Sequence, residues 1–153
     1  MNYDLIIDLV KKAGKLALDS KLRLHVEMKG AADFVTEVDL KISDYLKKEL
    51  AVLTPDIGFM SEEEDGDLAE ERWILDPIDG TTNLVYDYNM SSVSLAYFDG
   101  DKIDFGVIYN PFNGDLFVAK RGEGVYLKPL SHLPPSTICQ GIDPPRLNKK
   151  AIY

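Results

Sequence analysis

Between residues 57 and 127 the chain alternates short apolar runs with turn dipeptides, and that alternation points to a sheet. Val93, Leu95 and Tyr97 interleave with Ser92, Ser94 and Ala96, the period of two that gives a strand one buried face. Asp99-Gly100 leads into Ile103, Phe105, Val107 and Tyr109. Asn113-Gly114 leads into Leu116 to Ala119, and Gly122-Glu123-Gly124 into Val125 to Leu127. Asp-Gly and Asn-Gly supply the positive φ angles that tight hairpins need, so these runs pair antiparallel with their sequence neighbours. Two apolar runs precede them. Ile57-Gly58-Phe59-Met60 ends in Ser61 to Glu64, and Trp73-Ile74-Leu75 ends at Asp76-Pro77. The Phe105, Val107 and Tyr109 stripe reads as core, not as a stacking platform.

Upstream the period changes to that of a helix. Ile6, Val10, Ala13 and Ala17, flanked by Leu9 and Leu16, predict a helix from about residue 3 to 20, with Gly14 inside the pattern. Ile42, Leu46, Leu50 and Leu53 predict a second over residues 37 to 53, closed by Pro55. Leu24 to Lys29 fits a short strand. Two helices packed on an antiparallel sheet make the class α+β. A length of 153 residues suits one compact domain. Residues 1–128 are expected to form one lobe. Residues 129–153, punctuated by Pro129, Pro134, Pro135, Pro144 and Pro145, read as the start of a second lobe that the chain does not contain.

Charge narrows the partners. With 26 acidic against 17 basic residues the net charge is −9, a field that repels nucleic acid. Most of these carboxylates are expected on a solvated surface, but the balance also suits a cation site. Cys139 is the only cysteine, which excludes an intramolecular disulfide. No apolar run approaches the ~18 residues of a membrane span. Asp4 and Asp8 interrupt the N-terminal apolar stretch, and Lys11-Lys12 follows it, unlike a secretory signal. A cytoplasmic protein is the default expectation.

Two strand ends deliver carboxylates. One brings Glu62, Glu63 and Glu64; the other brings Asp76 and, after a Pro-Ile step, Asp79. Adjacent strands would crowd these charges and raise their pKa values unless a cation neutralised them. Carboxylate oxygens with a backbone carbonyl and waters suit Mg²⁺, and with no histidine or thiolate nearby in sequence a zinc site is disfavoured. Gly80-Thr81-Thr82-Asn83 supplies the complementary half: a glycine for close approach, threonines to cap a helix, and free amides for a phosphate. Metal on one side and amides on the other would hold a phosphoryl group between them.

Trp73 to Asn83, reading W-I-L-D-P-I-D-G-T-T-N, resembles the signature of the inositol monophosphatase family, magnesium-dependent and lithium-sensitive phosphatases. Lys29 with Val35-Thr36-Glu37-Val38-Asp39 is similar to the family's upstream Lys and VT-x-x-D segment. Phe59-Met60-Ser61-Glu62-Glu63 is similar to its strand ending in G-E-E, with Ser61 for the common glycine. Gly122-Glu123-Gly124-Val125-Tyr126 resembles its later G-x-G-aromatic turn. The resemblance implies a layered α/β sandwich and hydrolysis of a small sugar or cyclitol phosphate, such as myo-inositol 1-phosphate, with two or three Mg²⁺ ions and a possible homodimer. It implies that Glu62, Asp76, the Ile78 carbonyl and Asp79 are metal ligands, Asp76 bridging two ions. Thr81, hydrogen-bonded to Asp39, would orient or deprotonate the attacking water. Glu62, Asp79, Gly80 and Thr81 would also line the substrate site, and Glu63 would lie beside the metal-bound water. Asp79 to Asn83 favours the inositol-type branch over the nucleotide branch, with fructose-bisphosphatase-like relatives close to it. The family's second-lobe W-D-x-A-A segment has no counterpart between residues 128 and 153, so a truncated, non-catalytic fragment with a partial cation site is the alternative.

Plainer explanations compete at each position. Thr36-x-x-Asp39 has capping-box form, with Asp in place of Glu or Gln. Glu62 to Glu64 with Asp65 and Asp67 could be only an acidic loop. A calcium loop centred on Gly66 fails, because it would begin at Ser61 and end at Arg72. Asp79-Gly80 could be merely a turn, as Asp99-Gly100 is expected to be. His25 and His132 are expected at the surface or in packing, and Cys139 as a small buried residue.

Overall fold

The structure, a computed structural model, describes residues 1–23, 26–28, 34–62 and 69–128. Helix α1 (Tyr3–Gly14) passes into a 3-10 turn (Lys15–Leu18) and a single turn of helix, α2 (Ser20–Arg23). Strands β1 (Val26–Met28) and β2 (Phe34–Thr36) pair antiparallel and lead into α3 (Glu37–Leu53). Then come β3 (Gly58–Ser61), β4 (Arg72–Asp79), the short α4 (Thr81–Val85), β5 (Ser92–Phe98), β6 (Ile103–Tyr109), β7 (Leu116–Lys120) and β8 (Gly124–Lys128). These last six strands form one sheet in sequence order.

The α+β class holds, and α3 spans the residues its periodicity predicts. Its Val38, Ile42, Leu46 and Leu50 are buried, whereas Leu53, expected on the same face, is exposed. The Thr54 hydroxyl closes the helix by donating to the Leu50 carbonyl at 2.8 Å, and accepts the Trp73 indole N–H at 3.0 Å. Helix α1 is shorter than expected. It regularises only to Gly14, where a Cβ would lie 2.7 Å from Cδ1 of Tyr109. Glycine thus lets α1 approach β6 closely, and the tighter 3-10 turn that follows still carries Ala17 into the core.

Both helices cover one face of the sheet. Trp73, Leu75, Val93, Leu95, Phe105, Val107 and Tyr109 bury there with Ile6, Val10, Ile42 and Leu46. On the other face, pairing sets Asp76, Ser94, Ile108, Phe117 and Leu127 in one cross-strand row. Ile108, Phe117 and Leu127 of that row are 41–44% exposed.

The sheet departs from the expectation in two places. Strands β4 to β8 are antiparallel, but β3 runs parallel to β4. A period-two pattern is the same in either direction, and the ten residues between these strands, Asp65-Gly66 among them, are too many for a tight hairpin to fix their pairing, so their relative direction is a tertiary property. The second departure is the end of β4, which continues past Asp76-Pro77 to Asp79 through a register shift between Asp76 and Asp79. Pro77 has no amide to donate to the ladder, and an irregularity accommodates it without ending the strand.

Candidate functional site

The parallel edge assembles the carboxylates. Ser61 lies opposite Leu75, and the Glu62 amide donates to the Leu75 carbonyl at 3.1 Å. Glu62 therefore leaves β3 beside Asp76. An antiparallel β3 would have ended near Arg72, at the far end of β4. Asp76 is half-buried, Asp79 is exposed at the end of β4, and Asp39 is buried in the first turn of α3. Burial first, and then the charges of Glu62, Asp79 and Asp39, push the Asp76 carboxyl up to about 6, against a lowering hydrogen bond from the Ile78 amide. Three acidic side chains, from the end of β3, from β4 and from α3, thus act on the Asp76 carboxyl.

Asp39 makes the cap that its sequence position suggests, and its other oxygen faces Thr81. The Thr36 amide donates to its Oδ2 at 2.9 Å and the Thr36 hydroxyl donates to the same oxygen, which caps α3. Its Oδ1 lies 3.4 Å from Thr81 Oγ1. The Thr81 hydroxyl is nearer the Ile78 carbonyl oxygen, at 3.0 Å, and its single proton serves one acceptor at a time.

Gly80 makes the turn after β4. Its φ of +90° is left-handed, and a Cβ would meet the Met90 carbonyl oxygen at 3.0 Å. Gly80, not a threonine, is the N-cap of α4, and Thr81 bonds back to Ile78. The expected threonine cap is therefore absent. At five residues α4 has little macrodipole, so any preference for an anion lies in the local amides of the turn. The Ser91 hydroxyl donates to the Gly80 carbonyl at 2.9 Å, and Asn83 Nδ2 to the Met90 carbonyl at 2.8 Å. The buried Ser43 and Ser61 hydroxyls join at 3.1 Å, tying α3 to the end of β3.

Asp79, Gly80 and Asn83 open onto a cavity of about 360 Å³ whose wall continues through Ser91, Ser92 and Asn110. A larger cavity, about 560 Å³, lies elsewhere, between the start of α1 and β6 to β8. Asp4 and Glu123 line that larger cavity, whereas the smaller one is the cavity that the Asp79-Gly80 turn borders. Among the described residues, no three histidine, cysteine, aspartate or glutamate side chains stand close enough together to hold one ion. No helix among them is long and apolar enough to cross a membrane.

The structure gathers Asp39, Glu62, Asp76, Ile78, Asp79, Gly80 and Thr81 into one neighbourhood. Lys29, Glu63, Glu64, His25, His132, Cys139 and the expected second-lobe start at 129–153 lie outside the described residues. Sequence reasoning missed the contacts of Ser43, Ser61, Asn83 and Ser91. Asn83 stood inside the recognised motif, whereas nothing in the local pattern marks Ser91.

Comparison with known proteins identifies the family and the fold. The family model described as the inositol monophosphatase family matches residues 3–145. An inositol-1-monophosphatase of Mesorhizobium japonicum is 38% identical over 107 residues, which are 68% of this chain and 40% of that protein. The crystal structure of the extragenic suppressor protein suhB from Bartonella henselae superposes with a TM-score of 0.77 at 36% identity, covering 82% of this chain and 51% of that one. A structure of an IMPase/NADP phosphatase complexed with Mg²⁺ and phosphate superposes with a TM-score of 0.70 at 29% identity, covering 81% and 49%. The chain spans about half the length of the relatives it matches.

Proposed function

Because the chain belongs to the inositol monophosphatase family, we propose that it carries the metal- and phosphate-binding half of a centre hydrolysing small phosphate monoesters, such as myo-inositol 1-phosphate, with Mg²⁺. One observation carries this reading: the parallel β3–β4 pair sets Glu62 beside Asp76, with the Asp79-Gly80-Thr81 turn directly beyond. The donor set fits the ion. Mg²⁺ takes hard oxygens, commonly one or two carboxylates with the remaining positions filled by water and phosphate. Three converging side chains are then not required. Glu62, Asp76, the Ile78 carbonyl and Asp79 are the proposed donors.

Bound Mg²⁺ supplies charge neutralisation and a more acidic water at neutral pH. The chain's own residues do the rest. Amides at Gly80 and Thr81 hold the phosphoryl oxygens, and Glu62 and Asp79 border the substrate. Thr81, with Asp39 behind it, orients the attacking water and passes its proton on. The IMPase/NADP phosphatase neighbour, complexed with Mg²⁺ and phosphate, supports the choice of ion and anion. A cytoplasmic location and a homodimer belong to this same reading.

A second reading is favoured by the coverage of about half of each relative: a non-catalytic unit with a partial cation site. Phosphate release from myo-inositol 1-phosphate, assayed with and without Mg²⁺ beside a calorimetric Mg²⁺ titration, separates the two. Mg²⁺-dependent release supports the enzyme. Binding without release supports the partial site. Absence of both defeats both, and release from fructose 1,6-bisphosphate alone moves the substrate to the bisphosphatase branch.

A further inference from the structure

Strand β5 begins with Ser92 paired to Asp79, so the residue before it is delivered against the Gly80 turn. Ser91 is 2% exposed, and its hydroxyl donates to the Gly80 carbonyl oxygen. That oxygen also accepts the Leu84 amide at 3.1 Å, the first bond of α4, so both of its lone pairs are engaged. One residue back, the Met90 carbonyl accepts from Asn83. Two hydrogen bonds of opposite sense therefore link the turn to the segment leading into β5. Asp87 and Asn89, at φ +59° and +58°, bring the chain round to them, both residue types that tolerate this region.

A clamp is needed here for a simple reason. Glycine enters left-handed and right-handed regions about equally well, so Gly80 by itself does not choose φ +90°. What matters chemically is one peptide plane. The Gly80 carbonyl and the Thr81 N–H belong to the same planar trans peptide and point in opposite directions. Holding the oxygen from one side aims the N–H to the other.

We propose that Ser91 is a positioning residue: through the Gly80 carbonyl it fixes the direction of the Thr81 amide, and so the phosphate affinity of the turn. This rests on the phosphate-binding reading above and adds to it a residue outside the signature segment. Its hydroxyl is committed to the Gly80 carbonyl, so the role assigned to Ser91 runs through the peptide plane.

The test uses the full chain and inorganic phosphate, titrated calorimetrically in the presence of Mg²⁺, with Mg²⁺ alone titrated separately. Ser91→Ala is expected to weaken phosphate binding about threefold to tenfold, the range for one lost hydrogen bond, while Mg²⁺ affinity stays within twofold. Ser91→Thr, which keeps the hydroxyl, restores most of the affinity. In amide hydrogen exchange, Thr81 exchanges faster in Ser91→Ala than in the parent. Asn83→Ala gives a second cut in the same clamp, with the same expected sign. Unchanged phosphate affinity in both Ala variants overturns the proposal, as does a parallel loss of Mg²⁺ affinity, which marks general damage. A parent that binds no phosphate with Mg²⁺ defeats the underlying reading as well; a parent that binds while the variants match it defeats only the role of Ser91.

Discussion

The Thr81 hydroxyl lies 3.0 Å from the Ile78 carbonyl oxygen, closer than to the Asp39 carboxylate at 3.4 Å. The same carbonyl is a proposed cation donor. A cation held there would repel the hydroxyl hydrogen and favour its turning toward Asp39. Thr81→Val removes the hydroxyl at similar volume. It is expected to slow Mg²⁺-dependent phosphate release by about a hundredfold or more, with Mg²⁺ affinity within a few-fold of the parent. Thr81→Ser keeps most of the rate. Equal losses in the two variants would show that the methyl group, not the hydroxyl, matters.

Asp76 makes a prediction about stability. Its carboxyl is raised to about 6, first by burial and then by the charges of Glu62, Asp79 and Asp39. A folded-state value above the unfolded one contributes stability below pH ~3.9 that is lost as pH rises through about 6. Without cation, Asp76→Asn is therefore expected to unfold at a higher temperature than the parent at pH 7.5, with the gap closing toward pH 4. Mg²⁺ should raise the parent's unfolding temperature and leave the variant's nearly unchanged. Thermal unfolding at both pH values, with and without Mg²⁺, reads all of this.

Gly14 sets helix propensity against packing. Alanine in a helix is worth about 1 kcal/mol over glycine. At Gly14, however, the new Cβ would stand 2.7 and 2.9 Å from Cδ1 and Cε1 of the Tyr109 ring. Overpacking of this kind costs about 1–3 kcal/mol, so Gly14→Ala is expected to destabilise on balance. Combining it with Tyr109→Leu should cost less than the sum of the two single changes, as read by urea denaturation.

The Asp99 carboxylate accepts the Lys102 and Asp101 amides at 2.8 and 3.0 Å and pairs with Arg121 at 3.0 Å. The Lys102 amide first, then the Asp101 amide, hold its carboxyl down at about 2. A depressed value gives stability above the unfolded pKa that disappears as pH falls from about 4 through 2. Asp99→Ala should therefore be less stable than the parent at pH 6 and nearly equal to it at pH 2. Urea midpoints at the two pH values test this.

Local order was legible where local chemistry decides it. Helix α3 could be delimited because its apolar spacing and its Thr36–Asp39 cap lie within one segment. The Asp99-Gly100 and Asn113-Gly114 turns could be placed because few residues reach a positive φ, and both glycines do, at +94° and +79°. The direction of β3 could not be seen, since Phe59 and Trp73 alternate alike in either orientation. Yet that direction is what sets Glu62 beside Asp76. The close approach of α1 to β6 at Gly14 was hidden because its partner, Tyr109, lies 95 positions downstream. Ser91 was invisible for the same reason, its partner being a backbone atom eleven residues away.

Trp73 is the only tryptophan in the chain, fully buried on β4 with its indole N–H bonded to Thr54, three residues before Asp76. Its emission is thus an unlabelled optical gauge of a single strand. A blue-shifted spectrum, inaccessible to aqueous quenchers, reports that β4 is docked against α3. Any treatment that loosens the strand bearing Asp76 and Asp79 changes the colour of that light before bulk properties of the molecule need to change.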